Sequence, residues 1–170
     1  MIFIALGANL ASDRYGPPKA NLEAALCRLE TRGIKVIDRS RWYRSAPVPA
    51  AAQPDYVNGV AQLETKFSAR ELMALLLEIE LEFGRIRSVP NAARILDLDL
   101  IDFEGEILDF PADNTSPALQ LPHPSLGDRA FVLLPLAEIA PDWRDPRNGW
   151  HIDDIIAQLP EGQDIALLEQ

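Results

Sequence analysis

The stretch Ile-Phe-Ile-Ala-Leu at residues 2–6, followed by Gly7, decides the fold class. A short, continuous apolar run that ends at a glycine is typical of a β-strand buried on both faces, which places the strand centrally in a sheet. Residues 8–13 are polar, and a Gly-Pro-Pro sequence at residues 16–18 opens the next segment. The chain is therefore predicted to leave the central strand through a loop and to enter a helix.

Two helices are predicted from apolar residues that recur with the helical period. The first covers residues 19–32, and Gly33 is placed to end it. The second begins with Ser-Ala-Arg-Glu at residues 68–71, a capping box in which the Ser and Glu side chains satisfy backbone N–H groups at the helix start. Its apolar period continues to Phe83, and Gly84 ends the helix.

Further strands complete the predicted sheet. They are predicted at residues 34–44, 56–65 and 95–103, and a Glu-Gly-Glu turn at 104–106 predicts that residues 107–108 return as a hairpin partner. The order β-α-β-β-α-β matches the split βαβ plan. We therefore expect one domain over residues 1–170: an α+β, ferredoxin-like sandwich in which two helices pack on one face of a mostly antiparallel sheet.

The last third of the chain is less regular. Residues 131–139 are apolar but are interrupted by Pro135, and residues 152–159 are compatible with a short helix. The sequence does not decide whether the final twenty residues pack on the sheet.

Charge and composition exclude several classes of protein. The formal net charge of −10 disfavours a nucleic acid as partner, because that affinity depends on an excess of Lys and Arg. The only cysteine is Cys27, which rules out a disulfide framework. The N-terminus has no basic leader, and no apolar run reaches the roughly 20 residues that span a bilayer. We expect a soluble, cytoplasmic protein that binds neither nucleic acid nor membrane.

The strongest chemical signal is the pair Asp97 and Asp99 in the strand predicted at 95–103. Residues two apart in a strand share a face, with Cα atoms about 6.5–7 Å apart, so the two carboxylates project together. Such a pair is repulsive without a cation between the two groups, and it suits Mg²⁺ held jointly with substrate phosphates. For the motif taken alone, an exposed acidic edge strand stays an open alternative.

Arginines flank the acidic pair. Arg85 and Arg87 directly follow the predicted helix end, and Arg94 lies three residues before Asp97. Because a guanidinium binds phosphate through two parallel N–H groups, this set predicts a polyphosphate site. Compensation of the helix dipole is the alternative for Arg85 and Arg87. The sequence has no Walker A motif, so phosphate would be bound by arginine and metal.

Two further residues are ambiguous. His123 stands between two prolines and near Arg129, which suits a phosphate or base contact, although a lone histidine is more often a structural hydrogen bonder. Glu80 borders the apolar stripe of the second helix, one turn before Gly84. It either orders an arginine or simply forms the edge of the stripe.

Six stretches, in order and at compatible spacing, together resemble the 6-hydroxymethyl-7,8-dihydropterin pyrophosphokinase family over nearly the whole chain. They are ALGANL (5–10), WYRS (42–45), QPDYVN (53–58), IELEFGRIR (79–87), RILDLDL (94–100), and LPHP (121–124) with RAF (129–131). The resemblance implies transfer of diphosphate from ATP to 6-hydroxymethyl-7,8-dihydropterin in tetrahydrofolate biosynthesis, with release of AMP. It also implies Mg²⁺ as cofactor, two ions being expected, and we expect a monomer.

The resemblance implies roles for individual residues. The implied catalytic set is Arg85, Arg94, Asp97 and Asp99, and the two aspartates would bind the metal. ATP contacts are implied for Glu80, Arg85, Arg87, Arg94, Gln120, Leu121, His123 and Arg129. In that set Glu80 would order the arginines and Arg87 would lie in a mobile loop over the triphosphate. The pterin slot would comprise Ser45, Ala46, Val48, Tyr56, Asn58 and Phe131.

The chain departs from the family pattern just before Arg94. Residues 89–93 contain no aromatic side chain, where many members carry a Trp, so closure over the pterin or product release is expected to differ. Three other interpretations stay open: a metal-dependent phosphodiesterase or nuclease, a non-catalytic ferredoxin-like module that binds a nucleotide and regulates a partner, and a weakened family member. The net charge speaks against the nuclease.

Overall fold

The computed structural model describes residues 1–86 and 90–169, and its central strand is the apolar run at the N-terminus. The elements in chain order are β1 (Ile2–Ala8), α1 (Pro18–Thr31), β2 (Lys35–Arg39), β3 (Tyr43–Ser45), β4 (Tyr56–Glu64), α2 (Ala69–Glu82), β5 (Asp97–Phe103), β6 (Leu108–Phe110), β7 (Leu119–Leu121), a 3-10 turn (Leu126–Asp128), α3 (Ala130–Ile139), α4 (Ile152–Ile156) and β8 (Ile165–Leu167).

The main sheet has the strand order β5-β1-β4-β3-β8, and β2 pairs with a second part of β4. Its described strand pairs are antiparallel, and β1 lies between β4 and β5. The predicted α+β, ferredoxin-like class and its central strand are confirmed. Helices pack on both faces of the sheet, however, and not on one face alone as predicted.

Alternation along β1 produces a core on each side of the sheet. Ile4 and Leu6 face a cluster that includes the apolar stripes of α1 and α2. Phe3 faces a second cluster, which α3 and α4 complete. The first face carries the two predicted helices. The second face is covered by α4, which agrees with the short helix expected within residues 152–159, and by α3, which the sequence pattern did not assign.

The predicted ends of α1 and α2 are confirmed. Ser68 and Glu71 form the reciprocal capping box, in which the Ser68 backbone N–H donates to Glu71 at 2.8 Å. Gly33 and Gly84 have positive φ values of 83° and 88°, which only glycine adopts without strain.

The single strand predicted at 34–44 is wrong, because the chain forms β2 and β3 with a break between them. Ser40 turns the chain: its Oγ accepts the Val60 N–H at 3.0 Å and donates to the Arg41 carbonyl at 2.8 Å. Trp42 then lies across Gly59, where a Cβ would come within 2.6 Å of the indole ring. Room for this ring requires glycine in β4.

The predicted hairpin after β5 is also wrong. The turn exists, with Glu104 and Gly105 at positive φ, but β6 pairs with β7 in a separate two-stranded sheet. On the far edge of β5, the Ile101 carbonyl accepts the N–H of His123 at 2.9 Å. The segment that follows β7 therefore bonds to this edge, and it brings His123 beside the acidic strand.

The C-terminal third is ordered around the second core. Helix α3 passes through Pro135, because burial of Leu133 and Leu136 outweighs the lost backbone bond. The final strand, β8, pairs with β3, which answers the question left open for the last twenty residues. Among residues 1–86 and 90–169, no helix combines the length and the apolar character that crossing a membrane requires.

Candidate active site

A cavity opens where the C-terminal end of β1 meets its two neighbours. Its lining comprises Ala5, Leu6, Gly7, Ser45, Ala46, Pro47, Val48, Pro49, Gln53, Tyr56, Asn58, Asn91, Arg94, Asp97, Asp99, Arg129, Phe131 and Val132. All six residues predicted for the pterin slot lie here, together with four of the residues predicted for phosphate and metal.

Strand register explains why these side chains meet. Gly7 of β1 is the partner of both Asn58 in β4 and Asp97 in β5, and Ala5 is the partner of Asp99. A Cβ at Gly7 would lie 3.4 Å from Asn58 Oδ1 and 3.9 Å from Asp97 Cβ. The absent side chain therefore leaves the cavity floor open between an amide and a carboxylate.

A buried ionic network holds Asp97. The Arg85 guanidinium bonds to both Glu80 and Asp97, and Arg94 bonds to the other oxygen of Asp97. Glu80 is only 1% exposed, and it also accepts the Leu98 N–H at 2.8 Å. Such a network fixes the orientation of each member, because an unpaired charge at this depth would be costly.

Glu80 thus has the arginine partner that the sequence left unnamed. It bonds to Arg85 and does not line this cavity, so its predicted ATP role stays a prediction. Arg87, predicted to cover the triphosphate, lies outside the described residues.

Asp99 projects from the same face of β5 but is less enclosed by cations. The Arg129 guanidinium lies beside it, with Nη1 3.7 Å from Asp99 Oδ2. Burial raises the pKa of the Asp99 carboxyl, and the neighbouring Asp97 carboxylate raises it further. A cation near Asp99 would be favourable, because it would offset both the burial of this carboxylate and the charge of its neighbour.

The donor set fits Mg²⁺ better than a metal held by protein alone. Over residues 1–86 and 90–169, no cluster of three or more His, Cys, Asp or Glu side chains is arranged to hold an ion. Mg²⁺ is commonly bound by one or two carboxylates, with water and substrate phosphates completing its octahedron. Asp97 and Asp99 supply the protein part of such a set.

The cavity wall opposite the acidic strand carries a fixed amide and two aromatic rings. Asn58 is buried and donates to Ser45 Oγ at 2.8 Å, which fixes the plane of its amide. Tyr56 and Phe131 are half-buried and provide ring faces, and the Arg129 guanidinium lies 5.7 Å from the Phe131 ring centre. Burial raises the pKa of the Tyr56 hydroxyl, so the phenol is neutral at physiological pH.

A second cavity lies on the other side of Asp99. It is lined by Met73, Asp99, Leu100, Asp109, Phe110, Pro111, Ala118, Leu119, Gln120, His123 and Pro124. Burial lowers the pKa of His123, so the imidazole is neutral near pH 7, and its Nδ1 accepts the Ser125 N–H at 3.2 Å. Gln120 and His123, both predicted to contact ATP, line this second cavity. The Leu121 side chain is buried, so the contact predicted for Leu121 would involve its main chain.

The sequence analysis missed residues that hold the site without carrying charge. Asn9 accepts the Arg94 N–H at 2.7 Å through Oδ1, and its Nδ2 donates to Gln53 Oε1 at 3.2 Å and to the Pro54 carbonyl at 3.0 Å. Gln53 in turn donates to the Asn91 carbonyl at 2.7 Å. Asn9 and Gln53 both lie in stretches that carry the family resemblance, but those stretches do not indicate which groups the two side chains contact.

Two cavities that share one carboxylate lie beside a set of arginines on a ferredoxin-like sheet, an arrangement suited to the class of phosphate-transferring enzymes. The family model described as 7,8-dihydro-6-hydroxymethylpterin-pyrophosphokinase (HPPK) matches residues 3–141. The chain belongs to this family.

Relatives named "2-amino-4-hydroxy-6-hydroxymethyldihydropteridine pyrophosphokinase" are similar over most of the chain. The Synechocystis protein is 43% identical over 157 residues, covering 92% of this chain and 74% of the relative. The Pseudomonas aeruginosa protein is 40% identical over 163 residues, covering 94% and 91%. "Folic acid synthesis protein fol1" of Schizosaccharomyces pombe is 31% identical over 159 residues, which is 93% of this chain but 20% of that protein.

Proposed function

We propose that this chain transfers the diphosphate group of ATP to 6-hydroxymethyl-7,8-dihydropterin, forming AMP and the pterin diphosphate for folate biosynthesis. The observation that carries the proposal is the position of Asp99, which lines both cavities. A group that passes from a nucleotide to an acceptor must cross the boundary between their sites. Here that boundary bears the paired carboxylates and is flanked by arginine.

The first cavity takes the pterin. Tyr56 and Phe131 provide faces for ring stacking, and the fixed Asn58 amide provides edge hydrogen bonds. Ser45, Ala46 and Val48 border this slot. A substrate hydroxymethyl group then points toward Asp97 and Asp99.

The second cavity takes the nucleotide. Gln120 and His123 lie along it, and the neutral imidazole is suited to hydrogen bonding rather than to charge pairing. The triphosphate extends toward Arg94 and Arg129, where fixed guanidinium groups offset its charge. The predicted ATP contacts of Glu80, Arg85, Arg87 and Leu121 belong to the same proposal.

Asp97 and Asp99 would hold Mg²⁺, two ions being expected, and the metal would supply neutralisation of phosphate charge. The chain's own contribution is positioning and electrostatics. The hydroxymethyl oxygen attacks the β-phosphorus in line and releases its proton to solvent. The bond from that phosphorus to the α–β bridging oxygen breaks, and AMP leaves with that oxygen. Arg85 and Arg94 orient Asp97, and the approach of two bound substrates supplies much of the rate gain.

A non-catalytic regulatory module is not favoured, because the matched family and the relatives are named as pyrophosphokinases. The net charge of −10 likewise opposes a nuclease. We further propose that the protein acts in the cytoplasm as a monomer, without nucleic acid or membrane as partner.

A direct product assay tests the function. Protein is incubated with 6-hydroxymethyl-7,8-dihydropterin, ATP and Mg²⁺, and AMP and the pterin diphosphate are separated by chromatography. We expect both products in equal amounts, their loss with EDTA, and their loss in Asp97→Ala. Asp142→Ala is the matched control, since Asp142 is exposed. Release of ADP, or ATP binding without product, would contradict the proposal.

A further inference from the structure

The first turn of α3 is held by a residue from a distant part of the chain. Arg129 is the N-cap residue of this helix and makes no side-chain capping bond. Instead, Gln163 Oε1 accepts the Ala130 N–H at 2.9 Å, and Gln163 Nε2 donates to the Asp128 carbonyl at 2.9 Å. One side-chain amide thus bonds the backbone on both sides of Arg129.

Gln163 is itself anchored to the opposite wall of the first cavity. The next residue, Asp164, accepts the Ala46 N–H at 3.2 Å through its carbonyl. Strand β8 then pairs with β3, with Ile165 opposite Ser45. Residues 163–167, which we call the C-terminal clamp, therefore join the Ser45–Ala46 wall to the start of α3.

We infer that Gln163 is a positioning residue for Arg129 and Phe131, and this inference rests on the proposed function. These two side chains leave the backbone within one residue of the bonded Ala130 N–H. Arg129 reaches Asp99 and Phe131 forms a cavity face, so a shift of the first turn moves both groups. The matched family model ends at residue 141, before the clamp begins.

Local geometry explains why a remote residue is needed. The N–H groups in the first turn of a helix lack intrahelical partners, and a side-chain acceptor normally meets one of them. Arginine has no acceptor atom and cannot cap its own helix. A phosphate-directed Arg at the N-cap position therefore leaves this task to another residue, and the Gln163 carbonyl oxygen performs it.

The test compares three variants by steady-state kinetics, each substrate being varied with the other saturating. Gln163→Met keeps the side-chain length and loses both bonds, whereas Gln163→Glu keeps an acceptor and loses the donor. Gln158→Met is the matched control, because exposed Gln158 also donates to a backbone carbonyl, that of Asp154.

We expect kcat/KM for the pterin to fall about tenfold in Gln163→Met, which corresponds to two lost neutral hydrogen bonds, and to fall less in Gln163→Glu. Gln158→Met should match the parent. Hydrogen exchange at the Ala130 amide should be faster in Gln163→Met alone. Unchanged kinetics in Gln163→Met would overturn the inference, as would a fall in kcat that equals the unfolded fraction with both KM values unchanged.

The outcomes separate this inference from the proposed function. A parent protein that makes no AMP refutes the function, and the exchange rate at Ala130 then decides alone whether the clamp holds the helix start. A parent that turns over normally, with Gln163→Met equal to it, refutes only the positioning role.

Discussion

Asn9 clamps the backbone of Arg94 from both sides. The side-chain Oδ1 of Asn9 accepts the Arg94 backbone N–H at 2.7 Å, and the backbone N–H of Asn9 donates to the Arg94 carbonyl at 3.0 Å. Arg94 bonds to Asp97, so Asn9, which directly follows the central strand, fixes the backbone from which the Arg94 guanidinium reaches Asp97.

Replacing Asn9 should therefore impair turnover. Asn9→Ala removes the acceptor for Arg94 and the donor to Gln53, and we expect kcat to fall by about tenfold or more, since each lost bond of a buried group costs about 1–3 kcal/mol. Asn9→Asp keeps the acceptor and should retain more activity. Initial rates of AMP formation measure the activity of both variants. Equal rates would contradict a role for the hydrogen bond between Asn9 Oδ1 and the Arg94 N–H.

The buried carboxylate of Glu80 should be a large contributor to stability. Glu80→Ala leaves Arg85, whose side chain is 8% exposed, without one of its carboxylate partners, so we expect the free energy of unfolding to fall by about 3–5 kcal/mol. The control is Glu82→Ala, in which surface pairs with Arg28 and Arg32 are lost at a cost of about 1 kcal/mol or less. Denaturant unfolding measures the two changes, and similar values would show that burial of Glu80 does not matter.

Binding of the pterin should require glycine at position 7. In Gly7→Ala the new Cβ lies 3.4 Å from Asn58 Oδ1, which narrows the floor of the first cavity. We expect KM for the pterin to rise about tenfold, with a smaller change in KM for ATP. Gly127→Ala is the matched control, because a Cβ there meets no atom within 4 Å. A pterin KM that is the same in both variants would refute this account of the floor.

Tyr43 should make stability fall at alkaline pH. Burial, followed by its hydrogen bond to Glu138, raises the pKa of Tyr43 to about 12, and the hydroxyl donates to Glu138 Oε2 at 2.6 Å. The pKa of Tyr43 in the folded protein exceeds the unfolded value near 10. The stabilisation that the protonated Tyr43 hydroxyl provides is therefore complete below pH 10 and is lost as the pH rises toward 12.

The comparison with Tyr43→Phe isolates this effect. The difference in unfolding free energy between the parent and the variant should be constant below pH 10. Between pH 10 and 12 the unfolding free energy of the parent should fall by about 2–3 kcal/mol relative to that of Tyr43→Phe. Urea denaturation at several pH values measures it, and a constant difference over the whole range would contradict a raised pKa.

Elements whose signals are local were predicted well. The apolar run of β1, the capping box of α2 and the glycines after both helices act within a few residues, so each leaves a readable pattern. The paired aspartates of β5 were found for the same reason, because two-residue alternation in a strand is itself a structural rule.

Elements that depend on distant partners were missed or wrong. The strand at 34–44 breaks because Trp42 needs the space above Gly59, which lies on another strand. The edge of β5 bonds to the His123 segment rather than to the residues after its turn. The local periodicity of the sequence predicts neither the break in the strand nor the pairing of the β5 edge.

For this protein, the sequence by itself determined the central strand, two helices, the acidic pair and the family resemblance, because short-range periodicity and motif spacing encode them. Tertiary structure alone decided that Gly7 separates Asn58 from Asp97, that Asn9 clamps Arg94, and that Gln163 caps the helix that carries Phe131. The physical reason is that a hydrogen bond between remote groups depends on distance in space, and an isolated polar residue in a loop carries no sign of the partner it will meet.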